Sequence, residues 1–412
     1  MFKRLLWIGT LGLMLLSSFQ ASAETIKFSF GNSSIFEQTL KMLKPGDTLL
    51  LEPGTYSFTG GVTISKGHNG KPGKPITIRG KVKEKVILDG GNQPFTVLRV
   101  EGDYWNIENL TIKDGKEYGI FLKGSHIRVK DNDFYGSAED CIKSMEGSNN
   151  LEIINNRTYN SGREGIDIFG TDKAKVFGNK IHDPGGYGIF AKGGARNISI
   201  EGNTILRARK AGIYIGGIST STLMSKGQQY ECTNCQAVNN LVIDAAAHGV
   251  FALGCQNGLI AHNTIIGSSS WFGAPLGAGK GGDDKSNPRI HSKNIKIINN
   301  IVAYPKSKIY LQVEEGAAEN FFADNNLYFG LPNPLFDWKG RMLSWDDFKK
   351  ESQQEIHAVF KDPKFFDPTK NNFKVDPQSP AKKAGRTIEK ILDKDLEGKK
   401  RTQASPTIGA FE

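Results

Sequence analysis

Residues 156–181 read NRTYNSGREGIDIFGTDKAKVFGNKI and hold one complete repeat of the chain, from Asn156 to just beyond Asn179. Asparagines that precede a short apolar segment recur along the sequence, at Asn109, Asn132, Asn156, Asn179, Asn203, Asn240, Asn263, Asn300 and Asn326. Their spacings are 23, 24, 23, 24, 37, 23, 37 and 26 residues. Three short strands and three turns need about two dozen residues per coil, so the repeat predicts an all-β fold, a right-handed parallel β-helix.

We interpret these asparagines as structural residues, because asparagine tolerates left-handed backbone geometry and its amide can bond to the asparagine of the next coil. The two spacings of 37 residues predict inserted loops at about residues 217–236 and 268–293. Both loops are expected to protrude on the same side of the helix. Loops on a rigid scaffold commonly carry binding residues.

The two ends of the chain are predicted to differ from the coils. Residues 1–23 have a basic start, an apolar run and an Ala-Ser-Ala cleavage site, which predicts a secretory signal peptide and a secreted or periplasmic protein without a membrane anchor. In the β-helical part, residues 24–330, Ser33 or Ser34 is predicted to cap a short helix that covers the first coil, and the first strand is predicted at residues 48–52. Residues 331–412, with a helix near 345–351, are predicted to cap and wrap the far end of the same domain.

The charge of the chain indicates an anionic partner. The net charge is +10, and removal of Lys3 and Arg4 with the signal peptide leaves +8. Such an excess suits nucleic acid, an anionic membrane or an acidic polysaccharide. The sequence has no basic helix and no aromatic RNA-binding signature, and export makes nucleic acid a poor candidate. We therefore expect an acidic polysaccharide as the partner of a monomeric protein.

The four cysteines separate into a pair and two single residues. Cys232 and Cys235 lie in a polar insertion of a protein predicted to be exported, which favours a short-loop disulfide over a redox motif. Cys141 and Cys255 lack the spacing of a zinc site and are interpreted as small buried hydrophobic residues.

A second pattern precedes the asparagines: a small residue, an apolar residue and then alternation. Its six members are Gly119–Lys123, Cys141–Met145, Gly165–Phe169, Gly188–Lys192, Gly212–Gly216 and Gly249–Leu253. The second and fourth positions are aliphatic or small and are predicted to face the core, so the residue before the small one and the third and fifth positions face outward. Coils stacked about 4.8 Å apart turn these outward positions into columns.

Three acidic residues, Asp140, Glu164 and Asp167, are predicted to converge from two neighbouring coils. Carboxylates this close repel one another unless a cation lies between them, and oxygen ligands suit calcium better than zinc or copper. The sequence therefore predicts a Ca²⁺ site. The alternative is a set of surface ion pairs, in which Asp167 binds Lys143 or Lys192, worth about 0–1 kcal/mol each.

At these residues the chain resembles the calcium-dependent pectate lyases of polysaccharide lyase family nine and, less closely, the chondroitinase B and alginate lyase group. The family pattern places an Asp on one coil, an Asp-Asp-Gly-x-x-Asp-like group on the next and a lysine base on the coil after. Asp140 matches the first Asp, Glu164 and Asp167 match two members of the group, and Lys192 is the lysine on the following coil.

The sequence departs from the family pattern at two positions. Arg163 stands where another Asp is expected, and the family lysine lies nearer the third outward position, here Phe190. Arg163, Arg209 and Lys210 are candidates for holding substrate carboxylates, although each also fits a solvated surface charge. Phe190 and Tyr214 are candidates for stacking on sugar rings.

The resemblance implies a polysaccharide lyase that cleaves a pectate-like acidic polysaccharide by β-elimination. In this chemistry Ca²⁺ neutralises the uronate carboxylate and a neutral lysine removes the neighbouring C5 proton. Lys192 is the predicted base; Lys143 is the rival, and its other role is a charge partner of Asp167. Three alternatives stay open: a polygalacturonase-type hydrolase that pairs Asp140 with Asp167, a uronate C5-epimerase, and a non-catalytic β-helix that binds polysaccharide or acts as an adhesin.

Overall fold

The computed structural model describes residues 23–29, 33–269, 273–282, 289–388, 394–402 and 404–412. The predicted signal peptide lies outside these ranges apart from its last residue, Ala23. Within the described ranges, no helix has both the length and the apolar character that a membrane crossing needs.

The strands form three sheets in which the coils stack in parallel, and two strands of the third sheet, Ile290–His291 and Arg341–Ser344, pair antiparallel. The first sheet contains Thr25–Phe28, Thr48–Leu51, Ile76–Gly80, Trp105–Glu108, Arg128–Lys130, Asn149–Ile154, Asp172–Phe177, Ala195–Glu201, Cys232–Thr233, Gln236–Val238, Cys255–Gln256, Leu259–Ala261, Lys296–Ile298 and Phe322–Asp324. The second sheet contains Gly54–Ser57, Val86–Asp89, Thr111–Lys113, Asp133–Tyr135, Arg157–Tyr159, Lys180–His182, Thr204–Leu206, Leu241–Ile243, Thr264–Ile266, Ile301–Ala303, Leu327–Phe329 and Val359–Phe360. The third sheet contains Val62–Ile64, Thr96–Val100, Tyr118–Leu122, Ile142–Ser144, Ile166–Phe169, Ile189–Lys192, Ile213–Gly216, Val250–Leu253, Leu276–Gly281, Ile290–His291, Ile309–Val313, Leu335–Trp338 and Arg341–Ser344.

This arrangement is a right-handed parallel β-helix, and it confirms the fold predicted from the repeat. The inward positions of the third sheet show why the sequence folds in this way. Ile142, Ile166 and Ile189 face one another in register, and all three are fully buried. Branched side chains of one kind stack well when every strand repeats at the same height in the next coil. One structural correction applies at the start, since the first strand is Thr25–Phe28 and Thr48–Leu51 is the second.

The asparagines form a buried ladder, as the sequence predicted. The Nδ2 group of Asn132 donates to Oδ1 of Asn156 at 3.1 Å, and the same bond continues from coil to coil as far as Asn326. Asn109 lies outside the ladder: it occupies the preceding turn position with a φ of 57°, and Leu110 stands where the ladder would continue. The left-handed geometry therefore belongs to the residue before each ladder asparagine, for example Asn155 or Asn239.

Both ends of the helix are covered. At the start, the helix Ser33–Met42 buries Phe36 and Leu40 against the first coils, while Ile35 is exposed. The helix already includes Ser33 and Ser34, so the predicted capping role of these serines is wrong. At the far end, the helix Trp345–Ser352 buries Phe348 in the core.

The last part of the chain wraps along the second sheet. The outward residues of the second sheet pack against apolar residues of this last part. The sheet contributes Leu241, Ile243, Ile266, Ile301 and Leu327, and the last part contributes Phe373, Val375, Ala381, Ile408 and Ala410. This segment contains the two-stranded sheet Phe365–Asp367 and Asn372–Val375, and short 3₁₀ turns occur at Lys83–Lys85, Glu315–Ala318 and Pro368–Lys370. An apolar outer face of the second sheet is thereby removed from water.

The two insertions differ in form. The first runs from Gly217 to Glu231 and ends at the disulfide between Cys232 and Cys235, which confirms the predicted pairing. Cys141 and Cys255 are free and buried, also as predicted. The second stretch, 268–293, is not a single loop as expected, because its residues Leu276–Gly281 form a strand of the third sheet.

Candidate active site

The candidate site lies on the outer face of the third sheet. Lys143 is paired in register with Asp167, Asp167 with Phe190, and Phe190 with Tyr214, while Phe169 lies beside Lys192. The backbone hydrogen bond from the Cys141 N–H to the Glu164 carbonyl, at 3.2 Å, places Asp140 and Glu164 at equivalent positions of adjacent coils. The columns predicted from the repeat are therefore present in the structure.

Asp140, Glu164 and Asp167 form a compact acidic cluster. One carboxylate oxygen of each lies within 4.8 Å of the others, and the three residues are 1–2% exposed. The backbone N–H of Glu164 donates to Oδ1 of Asp140 at 3.0 Å. Oε2 of Glu164 and Oδ1 of Asp167 are buried without a hydrogen-bond partner. Burial of three acidic groups at this separation needs a positive charge in contact with them or a proton on one of them.

Lys143 supplies part of that charge. Its ammonium group forms an ion pair with Asp167 and lies 3.4 Å from Oδ2 of Asp140. Although burial acts to lower the pKa of Lys143, the two carboxylates outweigh it and raise the pKa above the ordinary lysine value. Burial and the neighbouring Asp167 charge raise the pKa of Asp140. Burial also acts to raise the pKa of Asp167, but Lys143 and Lys192 lower it below the usual range.

Lys192 approaches the cluster from the next coil. Its Nζ lies 3.3 Å from Oδ2 of Asp167 and 3.9 Å from the centre of the Phe190 ring. The side chain is 13% exposed, so it is nearly enclosed and still open to the outside at one point. The two lysines proposed from the sequence as base and rival thus share one carboxylate.

The cationic residues around the cluster are spread along one edge of the sheet. Arg163 lies at the rim, with its guanidinium 2.8 Å from Glu139 and 3.5 Å from Glu164. Lys210 lies two coils further on in the same column, with Gly186 between them. Two coil steps correspond to about 10 Å. Arg209 is also exposed, beside Lys210.

The aromatic residues proposed for sugar stacking are covered. Phe190 is 2% exposed and Tyr214 is 7% exposed, and they pack with Tyr187 and Phe251 in a small apolar cluster. Burial raises the pKa of Tyr214 well above the ordinary tyrosine value. The Phe190 ring packs against the Lys192 ammonium group, and the burial of both rings argues against the predicted stacking on sugar rings.

Sequence reasoning missed the residue that fixes the first insertion next to the site. Glu231 is fully buried and accepts hydrogen bonds from the N–H of Gly193, at 2.9 Å, and from Oγ of Ser219, at 2.8 Å. A Cβ atom at Gly217 would lie 2.7 Å from Cβ of Lys192, so the loop backbone packs directly on the lysine. A lone Glu at the end of a polar insertion gave no signal that could have identified it.

The acidic cluster fits a hard divalent cation. Its donors are buried carboxylate oxygens, the ligands that calcium prefers, and Oε2 of Glu164 and Oδ1 of Asp167 accept no hydrogen bond, although Oε2 of Glu164 lies 3.5 Å from Arg163. Asp140, Glu164 and Asp167 could hold such an ion. The ammonium group of Lys143 lies against the same Asp167 oxygen that faces Lys192.

Taken together, fold and site define a right-handed parallel β-helix protein with a carboxylate and lysine centre on one sheet. Residues 20–199 match the family model described as Pel9A-like, right handed beta helix region, and residues 129–302 match the model for a right handed beta helix region. The chain resembles pectate-lyase-like β-helix proteins.

Two curated relatives and one solved structure illustrate this similarity. The chain is 32% identical over 98 residues to pectate lyase L of Paenibacillus polymyxa (strain SC2), a match that covers 23% of this chain and 22% of that protein. It is 23% identical over 290 residues to pectate lyase L of Dickeya chrysanthemi, covering 65% of this chain and 66% of the relative. The matches thus span less than two thirds of either relative. The crystal structure of pectate lyase Pel9A superposes with a TM-score of 0.58 at 15% identity, covering 95% of this chain and 97% of that one.

Proposed function

We propose that the protein is a polysaccharide lyase that cleaves a uronate-containing, pectate-like polysaccharide by calcium-assisted β-elimination. The observation that carries the proposal is the buried acidic cluster of Asp140, Glu164 and Asp167, in which two oxygens accept no hydrogen bond and Asp167 lies directly beside Lys192. The names of the relatives, pectate lyase L and pectate lyase Pel9A, support the class of reaction.

Lys192 is the proposed base. β-Elimination needs a free amine that removes the proton from C5 of the uronate, after which the C4–O bond breaks, a double bond forms between C4 and C5, and the departing oxygen takes a proton from water. Lys143 is a poor base, since two carboxylates hold its proton and raise its pKa. Lys143 instead acts as the fixed positive charge of the cluster. Lys192 forms an ion pair with one carboxylate, that of Asp167, and its side chain is partly exposed.

Asp140, Glu164 and Asp167 are the proposed calcium ligands. When bound, calcium supplies a Lewis acid that neutralises the substrate carboxylate and makes the neighbouring C5–H more acidic. Asp167 has a second role, because its contact with both lysines sets the position of Lys192 relative to the cluster.

Arg163, Arg209 and Lys210 are the proposed contacts to further uronate carboxylates. Arg163 and Lys210 flank Gly186 in one column, so two cations face the same side of the sheet about 10 Å apart. Arginine binds carboxylates with two parallel hydrogen bonds, which gives Arg163 the greater orienting effect. Phe190 packs against the Lys192 ammonium group and Tyr214 packs against Phe190, so these buried rings support the proposed base.

The proposal includes the setting of the enzyme. The protein acts outside the cytoplasm on an acidic polysaccharide, as one monomeric domain whose residues 331–412 belong to the β-helix. The wrapping of Phe373 and Ile408 on the second sheet supports this single-domain organisation.

A hydrolase is the second candidate function, and one observation favours it. The pKa of Asp140 is raised and that of Asp167 is lowered, which is the division that a general acid and a base show. The spacing weighs against it, since these carboxylate oxygens lie within 4.8 Å and inverting hydrolases leave about 6.5–9.5 Å for a water molecule. Lys192 would also have no role.

The test is an assay on a panel of pectate, alginate and glycosaminoglycans, each with calcium or with chelator. The lyase proposal expects an unsaturated product that absorbs in the ultraviolet, formed with calcium and lost with chelator. New reducing ends without ultraviolet absorbance would identify the hydrolase. An altered ratio of uronate epimers with intact chains would identify the epimerase. Absence of all three products would leave a binding protein.

A further inference from the structure

A groove of about 620 Å³ lies on the first sheet, away from the acidic cluster of the third sheet. Its walls and floor come from five consecutive coils: Asn106, Arg128, Glu152 and Lys175 are in register on four of them, and Asn197 lies on the next. Four steps of about 4.8 Å make the groove about 19 Å long. The loop that contains Lys71 and Pro75 forms one end.

The residues at the turn before each strand of the first sheet differ between the groove and the later coils. In the later coils, the turn position is an asparagine with positive φ, and Asn234, Asn257 and Asn294 bond to one another through their amides at 2.8–2.9 Å. In the earlier coils, the same position holds Tyr104, His126, Asn150 and Lys173, at φ values of 53–60°. Left-handed geometry is unfavourable for tyrosine and lysine, and among residues other than glycine asparagine adopts it readily.

The residues that replace asparagine line the groove. Tyr104 and His126 stack with their ring centres 4.3 Å apart and their planes 4° from parallel. Asn150, Lys173 and Asn197 continue the same wall. The side chains therefore present ring edges, amides and an ammonium group where the ladder would otherwise continue. Strained backbone positions with exposed functional groups are concentrated at binding sites.

The charge of the groove is positive. Lys71, Arg128, Lys173 and Lys175 line it, and the acidic residue in its lining, Glu152, is bound to Arg128. Three lysines thus remain to face an anionic ligand. The hydroxyl groups of a sugar can hydrogen-bond to the amide and imidazole groups, and its apolar C–H groups can pack on the aromatic stack. The groove therefore combines the contacts that an acidic sugar chain requires.

We propose that this groove is a second binding site for an acidic oligosaccharide, separate from the site on the third sheet. It holds a segment of an anionic chain through Lys71, Lys173 and Lys175, with Tyr104 and His126 against the sugar rings. This inference does not depend on the reaction proposed above, because it concerns binding alone.

The test uses Lys192→Ala as the parent, so that no probe is degraded, and measures binding of tetragalacturonate and tetraguluronate by calorimetry. The test variant adds Tyr104→Asn, His126→Asn and Lys173→Asn, which gives the column the residue that its later coils already use and so preserves the backbone. Lys173→Asn alone provides a milder second variant. Lys296→Asn, exposed on the same sheet outside the groove, is the matched control.

The triple variant is expected to show one binding site fewer than the parent, or at least tenfold weaker binding at that site. Lys296→Asn should bind as the parent does. Cellotetraose should bind far more weakly than the acidic probes. If the parent shows a single site that the triple variant loses, the groove binds the probe and the third-sheet site does not. The further inference then stands while the proposed function loses its substrate site, so the two proposals can fail separately. Equal binding by parent and triple variant overturns the inference. Equal affinity for cellotetraose, or no binding by the parent, also overturns it.

Discussion

Lys143 and Lys192 share Asp167 but have different surroundings, and this difference decides their roles. Lys143 contacts two carboxylates and Lys192 contacts one. A buried pair that loses one partner is strongly destabilised, whereas the loss of a base leaves the fold intact and removes the reaction. Replacement of Lys143 should therefore change the stability, and replacement of Lys192 should change the reaction rate.

We expect Lys192→Ala to lower kcat by about 10²–10⁴-fold, the usual contribution of a positioned general base. The melting temperature and the calcium dependence should change little, since the acidic cluster keeps Lys143. Steady-state rates on pectate and thermal melts check this result. Lys296→Ala is the control. Full activity of Lys192→Ala would remove Lys192 from the mechanism.

We expect Lys143→Met to make the protein depend on calcium for stability. Without the ammonium group, Asp140 and Asp167 repel each other, at a cost of about 3–5 kcal/mol. Bound calcium would replace the missing charge, so calcium should raise the melting temperature of the variant by several degrees more than that of the wild type. Thermal melts across a calcium titration provide the measurement. An identical calcium effect in both proteins would contradict the claim that calcium and the Lys143 ammonium group stabilise the same carboxylates.

At the scale of elements, the first insertion forms the wall beside Lys192, and Glu231 attaches it. Glu231→Ala leaves the Gly193 N–H and the Ser219 hydroxyl without their buried acceptor, which costs about 1–3 kcal/mol per group. We expect faster proteolysis between Gly217 and Glu231 and lower activity, with the rest of the β-helix intact. Limited proteolysis followed by mass spectrometry measures this effect, and Glu319→Ala, an exposed residue, is the control. Unchanged cleavage and activity would contradict the role of Glu231.

Glu355 ends the asparagine ladder at the far cap. Its Oε1 accepts from Nδ2 of Asn326 at 2.7 Å and from the hydroxyl of Tyr328 at 2.6 Å. Burial raises the pKa of Glu355 from 4.5 to about 8. The folded protein therefore holds this proton more tightly than the unfolded chain, so the contribution to stability is complete below pH 4.5 and is lost as the pH rises through about 8.

We expect the melting temperature of the wild type to fall between pH 6 and pH 9 by a few degrees more than that of Glu355→Gln, which keeps the acceptor and does not titrate. Melting curves over this pH range compare the two proteins. Parallel pH profiles would show that Glu355 does not titrate in this interval.

At the scale of the whole molecule, the periodicity of the sequence was enough to predict the fold and the columns of the site. A parallel β-helix repeats each contact at a sequence distance of one coil, so Asp140, Glu164 and Asp167 could be brought together from spacing alone. The strand Thr25–Phe28 was missed, because four residues before the first repeat carry no period.

Features that depend on contacts across irregular segments were not predictable. The attachment by Glu231 and the strand Leu276–Gly281 depend on how the inserted segments fold onto the coils, and the burial of Phe190 and Tyr214 depends on side-chain packing between coils. The Tyr104 column was overlooked for another reason: it occupies turn positions, where hydrophobic periodicity gives no signal.

The central claim is that the acidic cluster and Lys192 form a calcium-dependent lyase centre. The most direct measurement is ultraviolet absorbance during incubation of the purified protein with pectate, with calcium and with chelator, beside Lys192→Ala. The account predicts a rise in absorbance for the wild type with calcium, little or none with chelator, and a rate at least 100-fold lower for the variant. No rise with pectate or with any other acidic polysaccharide, or an equal rise for the variant, would contradict it.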